Sequence, residues 1–275
     1  MTERYELIGY PMGSSPSSLI HKRLFELAGV EAEYGLREIA PEDLRDSFDR
    51  LKKLNGFNIA APHRATVIEM CDWLSETAQR HGCVNCIKTE NGKSIGYNTE
   101  AFAFITSVEH MKANSSTDVC LLGCGSMGRM MAIEAAFLAS RLTIAVRDED
   151  ISSAQAVKAE IDELSAKCTV KVIRLEDVKG GYDRVRNSTP VGMHPKPWLS
   201  PLKKEQLEGV QFLLDAVYHP AETALVRDAK ELGIKTAAGM SMLVLQAVGA
   251  HEVWNHSQYD NADIELLIAE MEDLS

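Results

Sequence analysis

The run Gly123-Cys124-Gly125-Ser126-Met127-Gly128 carries the chemistry most easily read from residue types and spacing. It follows the apolar stretch DVCLL and opens a segment rich in Ala and Met, so strand, turn and helix succeed one another as a dinucleotide loop requires. There the first glycine permits a tight turn, the second lets a pyrophosphate approach the backbone, and the third lets helix and strand pack closely. Ser126 and Met127 then stand at a helix N-terminus, where a phosphate is favoured. The strand RLTIAVRD that follows ends in Arg147 and Asp148. An acid at this place accepts the adenine ribose 2′-hydroxyl of NAD, whereas an arginine can meet the 2′-phosphate of NADP, so the two residues pull in opposite directions. Cys83 and Cys86 form a CxxC pair. A zinc site would need two further ligands at matching spacing, and the expectation is reduced thiols and no metal.

These residues need elements to hold them. YELIGYP reads as a strand, SSLIHKRLFELAGV as a helix ending at Gly29, EAEYGLREI as a strand, PEDLRDSFDRLKKLN as an amphipathic helix and GFNIAAP as a short strand that Pro62 stops. This alternation predicts a mostly parallel sheet. The polar stretch from Ser107 to Thr117 is expected to cross between two domains. After it, DVCLLGCGSMGRMMAIEAAFLA, RLTIAVRD and SSAQAVKAEIDELSAK give strand, helix, strand and helix, with VKVIRL, YDRVRNSTP and VQFLLDAVYHP as further strands. GMSMLVLQAVGAHEVWNH and ADIELLIAEMEDL have the apolar spacing of closing helices.

At 275 residues the chain is long enough for two domains, and 45% hydrophobic with 25% charged residues is ordinary for a globular protein. A net charge of -11 argues against nucleic acid and anionic membrane surfaces as partners, which need a basic footprint, and leaves a small-molecule substrate. An anionic substrate stays compatible, because local arginines or helix N-termini can bind a carboxylate in an acidic protein. No basic-then-apolar leader and no apolar run of roughly 18 residues is visible, so a cytoplasmic location is expected.

Five separated segments together resemble the shikimate dehydrogenase family over nearly the whole chain. GYPMGSSPSSLIH resembles its carboxylate-binding turn, which implies that Ser15 and Ser17 bind the substrate acid. GFNIAAPHRATV resembles its catalytic-lysine turn and carries Asn58. GCVNCI and GYNTEAFA resemble the segments that contact the ring hydroxyls, giving Asn85 and, at the catalytic acid position, Glu100. NSTPVGM, with Thr189, resembles the segment near the nicotinamide. DAVYHPAETALVRDAKELGIKTAAGMSMLVLQAV resembles the family most closely, with Tyr218 and Gln246 as substrate contacts and Gly239 near the nicotinamide. Taken alone, the serines read equally as a turn and helix cap, the asparagines as turn residues, and Tyr218 and Gln246 as core-edge residues.

Departures from the family pattern fall at the chemistry. Arg64 stands at the lysine position, Glu100 at the aspartate, and Ala60 and Cys86 at two threonines. Oxidising a secondary alcohol needs a group that takes the hydroxyl proton. Lysine can, because burial or cationic neighbours lower its pKa; arginine stays protonated, so Arg64 can orient a hydroxyl or stabilise an oxyanion while another group moves the proton. Glu100 is the first candidate for that group and His63 the second. The resemblance implies an α/β protein of two α/β domains. Residues 1–106, completed by helices at 240–275, would bind substrate, and a Rossmann-like domain at 107–239 would bind NAD(P), with NADP favoured and the ligands meeting in the cleft between the domains. The implied activity is an NAD(P)-dependent oxidoreductase of aromatic amino acid biosynthesis acting on shikimate, 3-dehydroshikimate or a relative such as quinate, as a monomer or homodimer. A non-catalytic protein that retains both pockets is the alternative. A methylenetetrahydrofolate dehydrogenase is a further one, against which the serine pair and the Tyr218 to Gln246 segment speak.

Overall fold

A computed structural model of the chain describes residues 2–13, 15–109, 118–164 and 167–274. The elements in chain order are β1 (Glu3–Gly9), α1 (Ser17–Ala28), β2 (Ala32–Glu38), α2 (Leu44–Leu51), β3 (Gly56–Ile59), β4 (Trp73–Leu74), α3 (Glu76–His81), β5 (Cys86–Glu90), β6 (Lys93–Tyr97) and α4 (Thr99–Glu109). There follow β7 (Asp118–Leu122), α5 (Ser126–Leu138), β8 (Arg141–Val146), α6 (Ile151–Glu163), β9 (Thr169–Arg174), β10 (Arg184–Asn187), β11 (Phe212–Asp215), α7 (Ala224–Glu231), β12 (Lys235–Ala237), α8 (Gly239–Asn255) and α9 (Asn261–Asp273). The expected polar crossing lies outside the described residues from 110 to 117. The chain divides into two compact units, one running to Ala103 and including Leu243–Met271, the other holding Phe104–Met242 and the residues from Glu272 on.

The first unit is built on a six-stranded sheet in the order β2-β1-β3-β5-β6-β4. β1 pairs in parallel with β2 and β3, as the β-α alternation requires, but β3 to β5 and β5 to β6 are antiparallel. The source of this difference is a hairpin that the alternation did not reveal. Asn91 and Gly92, at φ 53° and 76°, form its two-residue turn, and Asn-Gly is the pair that tolerates left-handed backbone at both central positions. Ile8, Phe48, Phe57, Ile59, Val67 and Ile87 belong to one core cluster, and Tyr5, Phe25, Cys86, Ala250 and Trp254 to another. Gly56 is required by the second: a Cβ there would overlap Trp254 Nε1, which donates to the Ile87 carbonyl at 2.9 Å.

In the second unit the six strands run in the order β12-β11-β10-β7-β8-β9, all parallel. The order reverses between β7 and β10, the switch point at which open parallel sheets bind ligands beyond their carboxyl ends. α7 and β12, inside the long segment from Asp215 to Gly239, were not read from the sequence. Thr223 signals the helix, its Oγ1 accepting the Val226 N–H at 3.2 Å as an N-cap. Among the described residues no helix is long and apolar enough to cross a membrane.

Two buried histidines couple the first unit to pH. Burial lowers the His21 pKa, with the neighbouring His251 adding to the effect, and burial pushes His251 down to about 3. Both rings are therefore neutral when folded, while in the unfolded chain they titrate near the ordinary value of 6.5. Their contribution to stability is complete above that value and is lost as pH falls from it toward the folded pKa, at up to about 1.4 kcal/mol per pH unit for each ring. Urea midpoints are expected to drop between pH 7.5 and pH 5, and to drop less in His251→Phe; a midpoint constant over that range would contradict neutral burial.

Candidate active site

In the first unit the loops that follow β1 and β3 touch: the Tyr10 N–H donates to the Ala61 carbonyl at 3.1 Å, and a Cβ on Gly9 would lie 2.9 Å from that of Ala60. The β3 loop carries Arg64, whose Nη1 lies 2.9 Å from Glu100 Oε1 while its Nε donates to the Ile59 carbonyl at 3.0 Å. Glu100 sits in the first turn of α4, where the helix dipole favours a carboxylate, and Asn98 caps that helix by accepting the Ala101 N–H at 3.1 Å. The Glu100 side chain is 9% exposed and that of Arg64 is 31% exposed, so the guanidinium is the open half of the pair.

Beside this pair lies a network of amides. Asn58 Nδ2 donates to the Asn85 carbonyl at 3.2 Å, and Tyr34 O–H donates to Asn58 Oδ1 at 2.8 Å. Asn85 Oδ1 accepts the Thr99 N–H at 2.7 Å, and its Nδ2 donates to Thr99 Oγ1 at 3.1 Å and to Gln246 Oε1 at 3.3 Å. The structure thus brings Asn58, Asn85 and Gln246 into one chain of bonds, with Thr99 linking it to the residue beside Glu100. Ser15 and Ser17 form a separate pair at the start of α1: their hydroxyls are 3.0 Å apart and Ser15 Oγ accepts the Ser17 N–H at 3.2 Å. The cap reading of Ser17 does not hold, since it is the first helical residue and Pro16 occupies the cap position. His63 drops out as a proton carrier. It is buried, and its Nε2 lies 2.8 Å from the Ile39 carbonyl, an acceptor only, so that proton is committed to backbone.

In the second unit Gly123 takes φ 87°, and Gly128 has no room for a side chain: a Cβ there would meet Ser188 Oγ at 2.6 Å and the Gly123 carbonyl oxygen at 2.7 Å. A Cβ on Gly125 would meet nothing within 4 Å, and Gly125 and Ser126 are exposed at the start of α5, with Met127 partly exposed behind them. An open backbone cradle at a helix N-terminus between two closely packed loops is what a pyrophosphate requires. Sequence reading placed NSTPVGM and Thr189 near the nicotinamide but missed Ser188, Asp215 and the bonds that hold the loop. Ser188 Oγ donates to the Leu122 carbonyl at 2.8 Å. Thr189 Oγ1 donates to Asn187 Oδ1 at 2.6 Å, Asn187 Nδ2 to Asp215 Oδ1 at 2.9 Å, and Thr223 Oγ1 to Asp215 Oδ2 at 2.7 Å. Burial raises the Asp215 pKa, and the hydrogen bonds it accepts oppose that shift. A polar last residue on two otherwise core-bound strands, RVRN and FLLD, was the available signal. Gly239 starts α8 where a Cβ would overlap the Ala216 carbonyl oxygen, and Tyr218, nearby in the chain, is 44% exposed.

Arg147 and Asp148 line a groove of about 780 Å³ together with Val146, Arg174, Leu175 and Lys203. Arg147 pairs with Glu149 and Asp150 at 2.9 and 2.8 Å, while Asp148 lies largely in solvent, 4.0 Å from Arg174. Burial pushes the Cys124 thiol of the glycine loop up to about 11, and all six cysteines are free.

Residues 7–87 match the family model described as the shikimate dehydrogenase substrate binding domain. The chain is 33% identical over 263 residues to a shikimate dehydrogenase (NADP(+)) of Caldanaerobacter subterraneus subsp. tengcongensis, covering 94% of each chain. Among solved structures it resembles the shikimate 5-dehydrogenase of Thermus thermophilus in complex with NADP(H) and shikimate (TM-score 0.85, 26% identity, 98% of this chain and 100% of that one). It also resembles the ligand-free 5-ketofructose reductase of a Gluconobacter species (TM-score 0.88, 27% identity, 98% and 99%).

The glycine loop yields a paired prediction. Gly128→Ala is expected to lower the melting temperature and to weaken dinucleotide binding, because the loops must separate. Gly125→Ala is expected to fold normally yet to bind the dinucleotide at least roughly tenfold more weakly, the added methyl occupying the phosphate approach. Calorimetric titration and thermal melts separate the two effects, and unaltered binding by Gly125→Ala would exclude this loop as the phosphate cradle.

Proposed function

The chain belongs to the shikimate dehydrogenase family, and from that premise we propose how its own residues perform an NADP-linked interconversion of shikimate and 3-dehydroshikimate, or of a close relative such as quinate. The first unit is the substrate-binding domain and the second the Rossmann-like domain. The observation that carries the reading is the Arg64–Glu100 pair at 2.9 Å beside the Asn58, Asn85 and Gln246 amides.

A guanidinium has five N–H donors. Arg64 commits Nε to Ile59 and one Nη1 hydrogen to Glu100, which leaves donors for the oxygen of the reacting carbon. Those donors stabilise negative charge developing on that oxygen, and being permanently charged they cannot remove its proton. Glu100 takes the hydroxyl proton in oxidation and returns it in reduction. Asn58, Asn85 and Gln246 orient the ring hydroxyls, and Ser15 and Ser17 bind the carboxylate at the start of α1. The glycine-loop backbone from Gly123 to Gly128 would hold the pyrophosphate, with Thr189 and Gly239 toward the nicotinamide, and the bound dinucleotide supplies or accepts the hydride. Arg147, with Arg174 and Lys203 in the same groove, would meet a 2′-phosphate, while Asp148 favours a free ribose hydroxyl and tempers the preference for NADP over NAD. Six free cysteines support a cytoplasmic location.

The test is to assay the natural protein, Arg64→Lys and Glu100→Gln with NADP+ and NAD+ on shikimate and quinate, and with NADPH and NADH on 5-ketofructose. The natural protein is expected to oxidise shikimate, and Glu100→Gln to lose roughly two orders of magnitude in kcat, the usual size of a general acid–base contribution. Activity on 5-ketofructose alone would replace the substrate. Activity that only Arg64→Lys shows would establish the natural chain as a binding protein.

A further inference from the structure

Behind the amide network runs a line of side chains from two helices and the segment before a third. His21 on α1 lies with Nδ1 3.0 Å from Nε2 of His251 on α8, and His251 Nδ1 is 2.7 Å from the hydroxyl of Tyr259, just before α9. The His21 ring stacks on Tyr34 with centroids 4.0 Å apart and planes 12° apart, and the Tyr34 hydroxyl donates to Asn58 Oδ1 at 2.8 Å. None of these three residues has a part in the reaction as described above.

The proton order follows from the Tyr259 hydroxyl. It lies 2.7 Å from His251 Nδ1 and 3.1 Å from the Leu24 carbonyl and donates to the closer partner, so His251 Nδ1 accepts. A neutral imidazole carries one N–H, so His251 Nε2 donates to His21 Nδ1 and the His21 hydrogen stands on Nε2. The Asn85 carbonyl can only accept, so the Asn58 atom 3.2 Å from it is Nδ2, and Oδ1 is left to the Tyr34 hydroxyl. Burial keeps both rings neutral, as the one-way order requires.

The line also joins the helices that bear substrate contacts. His21 lies one turn beyond Ser17 on α1, and His251 lies five residues beyond Gln246 on α8. We propose that Tyr259, His251 and His21 are positioning residues: through Tyr34, on which His21 stacks, they fix the Asn58 amide with its free N–H available to a substrate hydroxyl, and they tie the helix of Ser17 to the helix of Gln246. The substrate half of this inference rests on the proposed function; the proton order does not.

Two measurements on the full chain test it. In the natural protein, NMR of ¹⁵N-labelled histidine is expected to show His21 and His251 as neutral Nε2–H tautomers; an Nδ1–H tautomer at His21 would overturn the proton order whether or not shikimate is turned over. Kinetically, His251→Phe and Tyr259→Phe are expected to raise the KM for shikimate by about tenfold while kcat and the KM for the dinucleotide change by less than about twofold. His251→Gln, whose amide can still donate to His21, is expected to recover part of the loss. A fall in apparent kcat with KM unchanged that tracks a lower melting temperature, without rescue by glutamine, would reduce the line to core packing and sink the positioning role. Absence of turnover in the natural protein would fail the proposed function and leave the tautomer result to decide the proton order.

Discussion

Asn85 is the joint on which the substrate-side unit depends. Its backbone carbonyl orients Asn58, its side-chain oxygen accepts the first backbone N–H of α4, and its amide nitrogen reaches Gln246 on α8. A buried amide left unsatisfied costs about 1–3 kcal/mol, so the partners are held as firmly as Asn85 itself. One residue thereby brings β3, β5, α4 and α8 into a single alignment, and the polar groups offered to a ligand inherit that alignment.

The arrangement explains how an arginine can stand where the family has lysine. A lysine that exchanges protons must have its charge destabilised by its surroundings. Arg64 is in the opposite situation, with a carboxylate 2.9 Å away and nearly a third of its side chain open. In the proposed reaction its permanent charge would hold an oxygen in place and stabilise charge on it, and the work of proton exchange would pass to the carboxylate at the helix N-terminus. Glutamate, one methylene longer than aspartate, meets the guanidinium at 2.9 Å.

The second unit solves a different problem, that of presenting bare backbone to a phosphate without collapse. Gly123, Gly125 and Gly128 remove side chains from the loop, and Ser188 and Thr189 close over two of those places. That second loop is in turn fixed by Asn187 on a buried Asp215, whose carboxylate accepts bonds from Asn187, Val217 and Thr223. A charged side chain with no bulk water can be kept only by such a set of donors, so the strand ends are polar although the strands are core. Arg186, one residue earlier, is a contrasting case: a buried guanidinium lying over the Phe104 ring at 4.7 Å, with Nε and Nη1 lacking partners among the described residues, and burial pushes its pKa down to about 9.

The sequence alone determined the features that depend on neighbours in the chain. The glycine loop between strand and helix, α1 stopping at Gly29, the apolar spacing of α8 and α9, and the parallel order of the second sheet all follow from short-range pattern and from the handedness of β-α-β connections. Resemblance added the candidate site residues, including the unexpected pair at positions 64 and 100. Only the tertiary structure decided what those residues touch. Asn85 and Gln246 are 161 positions apart and His21 and His251 are 230 apart, and no periodicity relates side chains at such distances. The β5–β6 hairpin could have been read from Asn91-Gly92, but its place between β3 and β4 could not, because strand order is set by which apolar faces can be buried together. The same limit applies to His63. Beside Arg64 in the chain it looks like a partner in proton transfer, yet packing turns its ring onto the Ile39 carbonyl, because a buried imidazole must satisfy its N–H wherever the fold offers an acceptor.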